Sequence, residues 1–170
     1  MVEFKLTKEQ LLAQQMFRDF AETEIKPIAR DMDETEEFSM ERLEKMKKFG
    51  IMGIPYSKEY GGEGADVLTY TLCMEEMSKA DASTGITISV HTSLCCSCIN
   101  DFASEEQKQK YLRPLVDGSK VGCFGLTEPG AGTDASGVKT SAVLDGDHYI
   151  LNGQKVFTTN SGFALSLIHI

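Results

Sequence analysis

Residues 121–160, VGCFGLTEPGAGTDASGVKTSAVLDGDHYILNGQKVFTTN, decide the fold. Four pieces of this stretch, VGCFGLTE, KTSAVL, HYIL and KVFTT, are short and rich in residues that suit a pleated strand. Asp145-Gly146 and Asn152-Gly153 are hairpin signals, because both turn residues tolerate positive φ. The chain before this stretch reads mainly as helix. The predicted fold class is therefore α+β: an N-terminal all-α helical domain over residues 1–118, then the start of an antiparallel β-domain over 119–164. So short a β-segment cannot close a sandwich or barrel of ordinary size, so it reads as incomplete.

Working back toward the N-terminus, Thr7 and Gln10 have capping-box spacing, and Leu11, Leu12, Phe17, Phe20, Ile25 and Ile28 follow a helical stripe. Pro27 should end or kink that helix, or start a new segment. A shorter helix is expected from about Met40 to Phe49, then a loop over GIMGIPYSKEYGGEG (50–64). A further helix carries Val67, Leu68, Leu72 and Met77. Another, starting at Ser83 or Thr84 and running to about Phe102, is apolar nearly all round and is expected to be central. Ser104 and Gln107 form a second capping box, ahead of a helix that Pro114 should end.

The chain has 170 residues, 26 acidic and 17 basic, for a formal charge of −9. That balance argues against non-specific binding to nucleic acid or an anionic membrane, which needs a basic face. No apolar run approaches the roughly 20 residues that span a bilayer, and the N-terminus lacks signal- or transit-peptide character. The expected location is cytoplasmic. Five cysteines, an odd number without a leader, argue against a disulfide framework. The CCSC cluster reads as buried reduced thiols rather than metal ligands, since neighbours on a helix point about 100° apart and no second ligand pair follows.

GLTEPGAGTDASG (125–137) is the segment with the most chemistry. Gly130 and Gly132 permit a tight turn, and Thr127, Thr133, Asp134 and Ser136 add hydrogen-bonding groups. The Gly130-x-Gly132-x-x-Ala135 spacing imitates a dinucleotide fingerprint, but strand rather than helix is expected next, and no Gly-Lys-Ser/Thr follows. On pattern alone, a ligand loop and a plain loop joining two strands stay equally open. Glu75 and Glu76 are adjacent on a helix and read as a solvated face. Glu128 reads as structural, His91 as a satisfied core histidine, and His148 as an exposed residue beside a turn.

GLTEPGAGTDASG resembles a signature of the acyl-CoA dehydrogenase family at every constrained position. A second family element, an aromatic followed by Ile/Thr, Thr and Asn/Ser, has its counterpart in Phe157-Thr158-Thr159-Asn160. The order of PYSKEYGGEGAD, EEQKQKYLRPL and both motifs also fits, so the resemblance covers residues 1–164. It is closest in character to the short-chain, butyryl-CoA branch. The resemblance implies FAD, lined by Phe124, Gly125, Leu126, Thr127, Glu128, Pro129, Gly130, Ala131, Gly132 and Thr133, together with Phe157, Thr158 and Thr159. In that reading Thr127 bonds near the pyrimidine edge and Thr133 lies by the pyrophosphate and touches acyl-CoA. Phe157 packs on the ring, and Thr159 donates toward N5. Cys95, in SVHTSLCCSC, would line the acyl pocket.

The implied reaction is α,β-dehydrogenation of a short-chain fatty acyl-CoA, with electrons passing to an electron-transferring flavoprotein and the intact enzyme a homotetramer. The family's catalytic Glu has no counterpart in this chain, so no catalytic residue and no metal ligand is expected here. The fragment itself is expected to be inactive. An acyl-CoA-oxidase-like flavoprotein and a non-enzymatic helical scaffold remain alternatives. The last six residues, LSLIHI (165–170), are the in-frame translation of a transposase mosaic-end adapter, CTGTCTCTTATACACATC. They are read as adapter read-through, which leaves His169 without a role.

Overall fold

Both capping boxes open helices where the spacing puts them. The Thr7 hydroxyl accepts from the Gln10 N–H and the Gln10 side chain accepts from the Thr7 N–H, starting α1 (Lys8–Phe20). In this computed structural model, which describes residues 5–164, α1 runs through a π-helical turn (Ala21–Ile25) into α2 (Lys26–Thr35). The adapter-like residues 165–170, including His169, lie outside the described residues. Ser39 caps α3 (Met40–Lys48), Asp66 caps α4 (Val67–Ala80) and Asp81 caps α5 (Ala82–Ser89). α5 continues through a π-helical stretch (Val90–Cys96) into α6 (Ser97–Phe102). Ser104 and Gln107 box the start of α7 (Glu105–Gln107), which leads through a π turn (Lys108–Leu112) into α8 (Arg113–Val116).

Pro114 does not end its helix. Both prolines sit directly after a π turn: the Lys26 N–H bonds the Ala21 carbonyl ahead of Pro27, and the Arg113 N–H bonds the Lys108 carbonyl ahead of Pro114. A proline ring normally clashes with the carbonyl four residues back, and a locally widened turn is the usual way a helix absorbs the misfit. A second expectation also changes. α5, its π stretch and α6 form one helix of 21 residues, long and apolar enough by length and composition to cross a membrane. It packs on α4, and His91, Thr84 and Ile88 on it are fully buried, as in the core helix of a globular domain.

The core lies where α1, α3, α4 and the 82–102 helix meet. Ile25, Met46, Ile51, Met77 and Ile88 are 0% exposed. Glu76 is not on a solvated face. It is 4% exposed, and its carboxylate takes Arg18 Nη2 at 2.9 Å, Arg18 Nε at 3.1 Å and Gln14 at 3.1 Å. The hydrogen bonds from Arg18 hold it below the usual carboxylate range. Adjacent helical positions point about 100° apart, so Glu76 faces α1 while Glu75 stays outside on Lys79. All five cysteines are free. Burial pushes the Cys73 thiol up to about 12 and Cys95 up to about 11.

Beyond α8 the one helical piece among the described residues is a 3₁₀ turn (Ala135–Gly137). β1 (Ser141–Asp145) and β2 (His148–Asn152) pair antiparallel, with Asp145 opposite His148. The turn residues are Gly146 and Asp147; Gly146 has φ 64°, at the first central position where a II′ hairpin takes glycine. The helical-then-antiparallel order matches the expected fold class. The expected strands at 121–128 and 155–159 do not form among the described residues. Between them runs a single backbone bond, Val156 N–H to the Thr127 carbonyl at 2.9 Å, and a strand needs a neighbour over several residues. Asn152-Gly153 makes no second hairpin. Gly153 instead lets the chain pass Thr140, whose Cβ would lie 2.6 Å from a Cβ at 153.

Candidate functional site

The glycine loop closes on itself at Glu128 and Ala131, which exchange backbone bonds of 3.0 and 3.1 Å around Pro129-Gly130. Glu128 then fixes this turn to its surroundings. Its carboxylate accepts from the Lys139 N–H at 2.7 Å, the Thr140 N–H at 2.9 Å, the Thr140 hydroxyl at 2.5 Å and Lys155 Nζ at 2.8 Å. Those donors, Lys155 first, hold its pKa down to about 2. A carboxylate with four donors is an anchor, as the sequence reading held. Lys155 also reaches the Leu126 carbonyl at 3.0 Å. Sequence reasoning missed Lys155 and Thr140: neither belongs to a motif, and only the fold brings them to Glu128.

These bonds set the two motifs side by side. A Cβ on Gly125 would lie 3.4 Å from the Thr158 hydroxyl, and Val156 bonds Thr127. The candidate residues then sort by exposure. Glu128 and Ala131 are buried, so only their backbone could meet a ligand; Phe124, Gly125, Thr127, Thr158 and Thr159 are half-buried; Leu126, Pro129, Gly130, Gly132, Thr133 and Phe157 are exposed. Gly130 and Gly132 do not use positive φ, and nothing lies within 4 Å of the Cβ either lacks. Their bareness leaves an open cradle over the turn. Phe157 is 89% exposed at φ 57°, a left-handed backbone under a bulky ring. Such strain clusters at ligand sites. The Thr127, Thr133 and Thr159 hydroxyls have no hydrogen-bond partner among the described residues.

This donor set suits FAD: an exposed ring to stack on, uncharged hydroxyls for a ring edge, and bare backbone for a pyrophosphate. Of the two lysines beside the loop, Lys155 is taken by Glu128, while Lys139 gives Glu128 its backbone N–H and stays exposed. His91 lies behind the site, 0% exposed, with Nδ1 accepting from the Gly122 N–H at 2.9 Å, and burial lowers its pKa to about 4. It is a satisfied core histidine. His148 is exposed and pairs with Asp147 at 2.7 Å. Cys95 is 7% exposed, beside a small cleft shared with Lys110, Tyr111 and Val121.

Comparison with known proteins gives the site its context. The family model for the acyl-CoA dehydrogenase N-terminal domain matches residues 7–119, and that for the acyl-CoA dehydrogenase middle domain matches 123–170. A short-chain specific acyl-CoA dehydrogenase of Clostridium acetobutylicum is 58% identical over 163 residues, covering 96% of this chain and 43% of that protein. A solved chain from work on the electron transferring flavoprotein of Acidaminococcus fermentans superposes with TM-score 0.92 at 49% identity, covering 96% of this chain and 43% of that one. Butyryl-CoA dehydrogenase of Megasphaera elsdenii gives 0.90 at 43% identity, over 96% and 44%. A glutaryl-CoA dehydrogenase of Mycobacterium smegmatis in complex with FADH2 gives 0.89 at 33% identity, over 94% and 41%. The chain thus spans less than half the length of the relatives it matches. With the domain order and both motifs in place, this chain belongs to the acyl-CoA dehydrogenase family.

Proposed function

We propose that these residues supply one wall of the flavin site of a short-chain acyl-CoA dehydrogenase that works in the cytoplasm and passes electrons to an electron-transferring flavoprotein. The observation that carries this is the pairing of the two motifs through Lys155, Glu128 and Val156, with open space over Gly130 and Gly132 and an exposed ring at Phe157. The short-chain relatives support the substrate class, and the FADH2 complex supports the cofactor.

FAD, when bound, supplies a hydride acceptor for the hydrogen leaving the acyl β-carbon. The chain's own residues bind and orient it. Residues 124–133 would hold the ring edge and pyrophosphate, with the Thr127 hydroxyl at the edge and Thr133 between pyrophosphate and acyl-CoA. Phe157 would cover the ring, and Thr158 and Thr159 would flank it, the Thr159 hydroxyl donating toward N5. A donor at the reactive nitrogen tunes its acceptor strength without adding charge. Removing the α-proton requires a carboxylate free to accept it. Glu128 is saturated by four donors and Glu76 by Arg18 and Gln14, so neither serves. The resemblance, which finds no counterpart of the family's catalytic Glu among these residues, assigns that role to another part of the full-length polypeptide, and on that reading this stretch alone is inactive. The complete enzyme is read as a homotetramer.

Replacing Gly132→Val in the full-length polypeptide tests the cradle. Purified protein should lose bound flavin while keeping its helical circular dichroism. Full flavin occupancy in the variant would remove Gly132 from the site.

A further inference from the structure

The two segments at the flavin face are held from behind at a single peptide unit. The Gly122 N–H donates to His91 Nδ1 at 2.9 Å, and the Gly122 carbonyl accepts from Asn160 Nδ2 at 3.0 Å. The same amide nitrogen donates its other proton to the Thr87 carbonyl, also at 3.0 Å. Thr87 lies on α5 and His91 on the π stretch that follows it. Gly122 stands two residues before Phe124, and Asn160 directly follows Thr159. The node is closed to water: His91 is 0%, Thr87 4% and Asn160 6% exposed. It is also tight, since a Cβ on Gly122 would lie 2.5 Å from Cys95 Sγ.

The chemistry fixes the roles. An amide facing two carbonyls can meet both only with its NH2 end, so the orientation of Asn160 follows from its partners. His91 accepts at Nδ1, so its ring proton sits on Nε2, which is 3.6 Å from Cys96 Sγ. Asn160 itself has φ 71°, and Phe157 three residues earlier has φ 57°. Asparagine visits this region more readily than most residues, whereas a strained phenylalanine persists only where its surroundings over-determine it. The buried amide provides that constraint at one end of the turn.

We propose that Asn160 and His91 are positioning residues: through Gly122 they hold the 124–133 segment and the 157–159 turn in fixed relation, so that both meet the flavin at once. This rests on reading those segments as the flavin face. Neither side chain needs to touch the cofactor. Both act through the backbone, and both tie the face to the helix that runs beneath it.

The test uses the full-length polypeptide with Asn160→Gly. Glycine keeps the left-handed backbone and removes only the amide. Hydrogen exchange is followed in the flavin-free protein, and flavin release in the loaded one. The expected result is exchange faster by about tenfold or more at 157–161 and also at 122–124, as for the loss of two buried hydrogen bonds. Flavin release should quicken by a similar factor, with exchange in α1 and α4 unchanged. His91→Leu should also speed exchange at 157–161, which His91 does not touch. Wild-type exchange and flavin retention in Asn160→Gly would overturn the proposal alone. Wild-type protein that takes up no flavin would overturn the functional reading, and this role with it.

Discussion

The helical part and the hairpin use similar residues to opposite effect. In the helices, Ile25, Met46, Met77 and Ile88 are fully buried. In the hairpin every residue of β1 and β2 is exposed, with Leu144 at 62% and Tyr149 at 66%. What differs is the number of neighbours. α4 has α1 on one side and α5 on another, whereas among the described residues β1 pairs with no strand but β2. An isolated two-stranded hairpin is marginal in water. Here it is tethered by the Glu128 lock at Lys139 and Thr140, just ahead of β1. The helical part stands on its core, and the β part on a few polar anchors.

That contrast can be broken from either side. The largest effect is expected at Ile88→Ala, which opens a cavity at a fully buried position and should cost about 2–5 kcal/mol in urea unfolding followed by helical circular dichroism. A loss below about 1 kcal/mol would mean that the core tolerates the void. Acid should come next, in two windows. His91 is depressed in the fold from 6.5 to about 4, so the neutral ring is the native form. Its contribution is complete above 6.5 and is lost as pH falls toward about 4, because the unfolded chain binds the proton first. Glu128 is depressed from 4.5 to about 2, so the loop anchor holds through the first window and fails only as pH drops through the second. Amide exchange should therefore quicken around Gly122 before it quickens at Lys139 and Thr140. The reverse order would contradict the assignment of these two anchors. The smallest effect is expected at Leu144→Ser, within about 0.5 kcal/mol in the same unfolding measurement, because its side chain is already in water. A larger loss would show the hairpin to be part of the cooperative unit.

Local chemistry was legible in the sequence; long-range chemistry was not. The capping boxes at Thr7 and Ser104 span three residues each, and they mark true helix starts. The hairpin at Asp145-Gly146 is likewise local, although the turn is centred one residue later. The π turns before Pro27 and Pro114 have no composition of their own, so Pro114 read as a stop. Glu76 and Glu75 are the same residue type side by side, and only the position of α1 decides which is buried. At the site, the glycine loop and the FTTN element stood out as motifs. Asn160 was visible as the last residue of one of them. Its partners lie 38 and 73 positions away, and nothing in its neighbours signals a clamp.

If residues 124–133 and 157–159 form the proposed cofactor face of a short-chain acyl-CoA dehydrogenase, butyryl-CoA must reduce the flavin they hold. The most direct test is the visible spectrum of the purified full-length polypeptide on anaerobic addition of butyryl-CoA. The expected result is a yellow protein whose flavin absorbance bleaches on mixing. A colourless protein, or a yellow one that butyryl-CoA leaves unchanged, would contradict it.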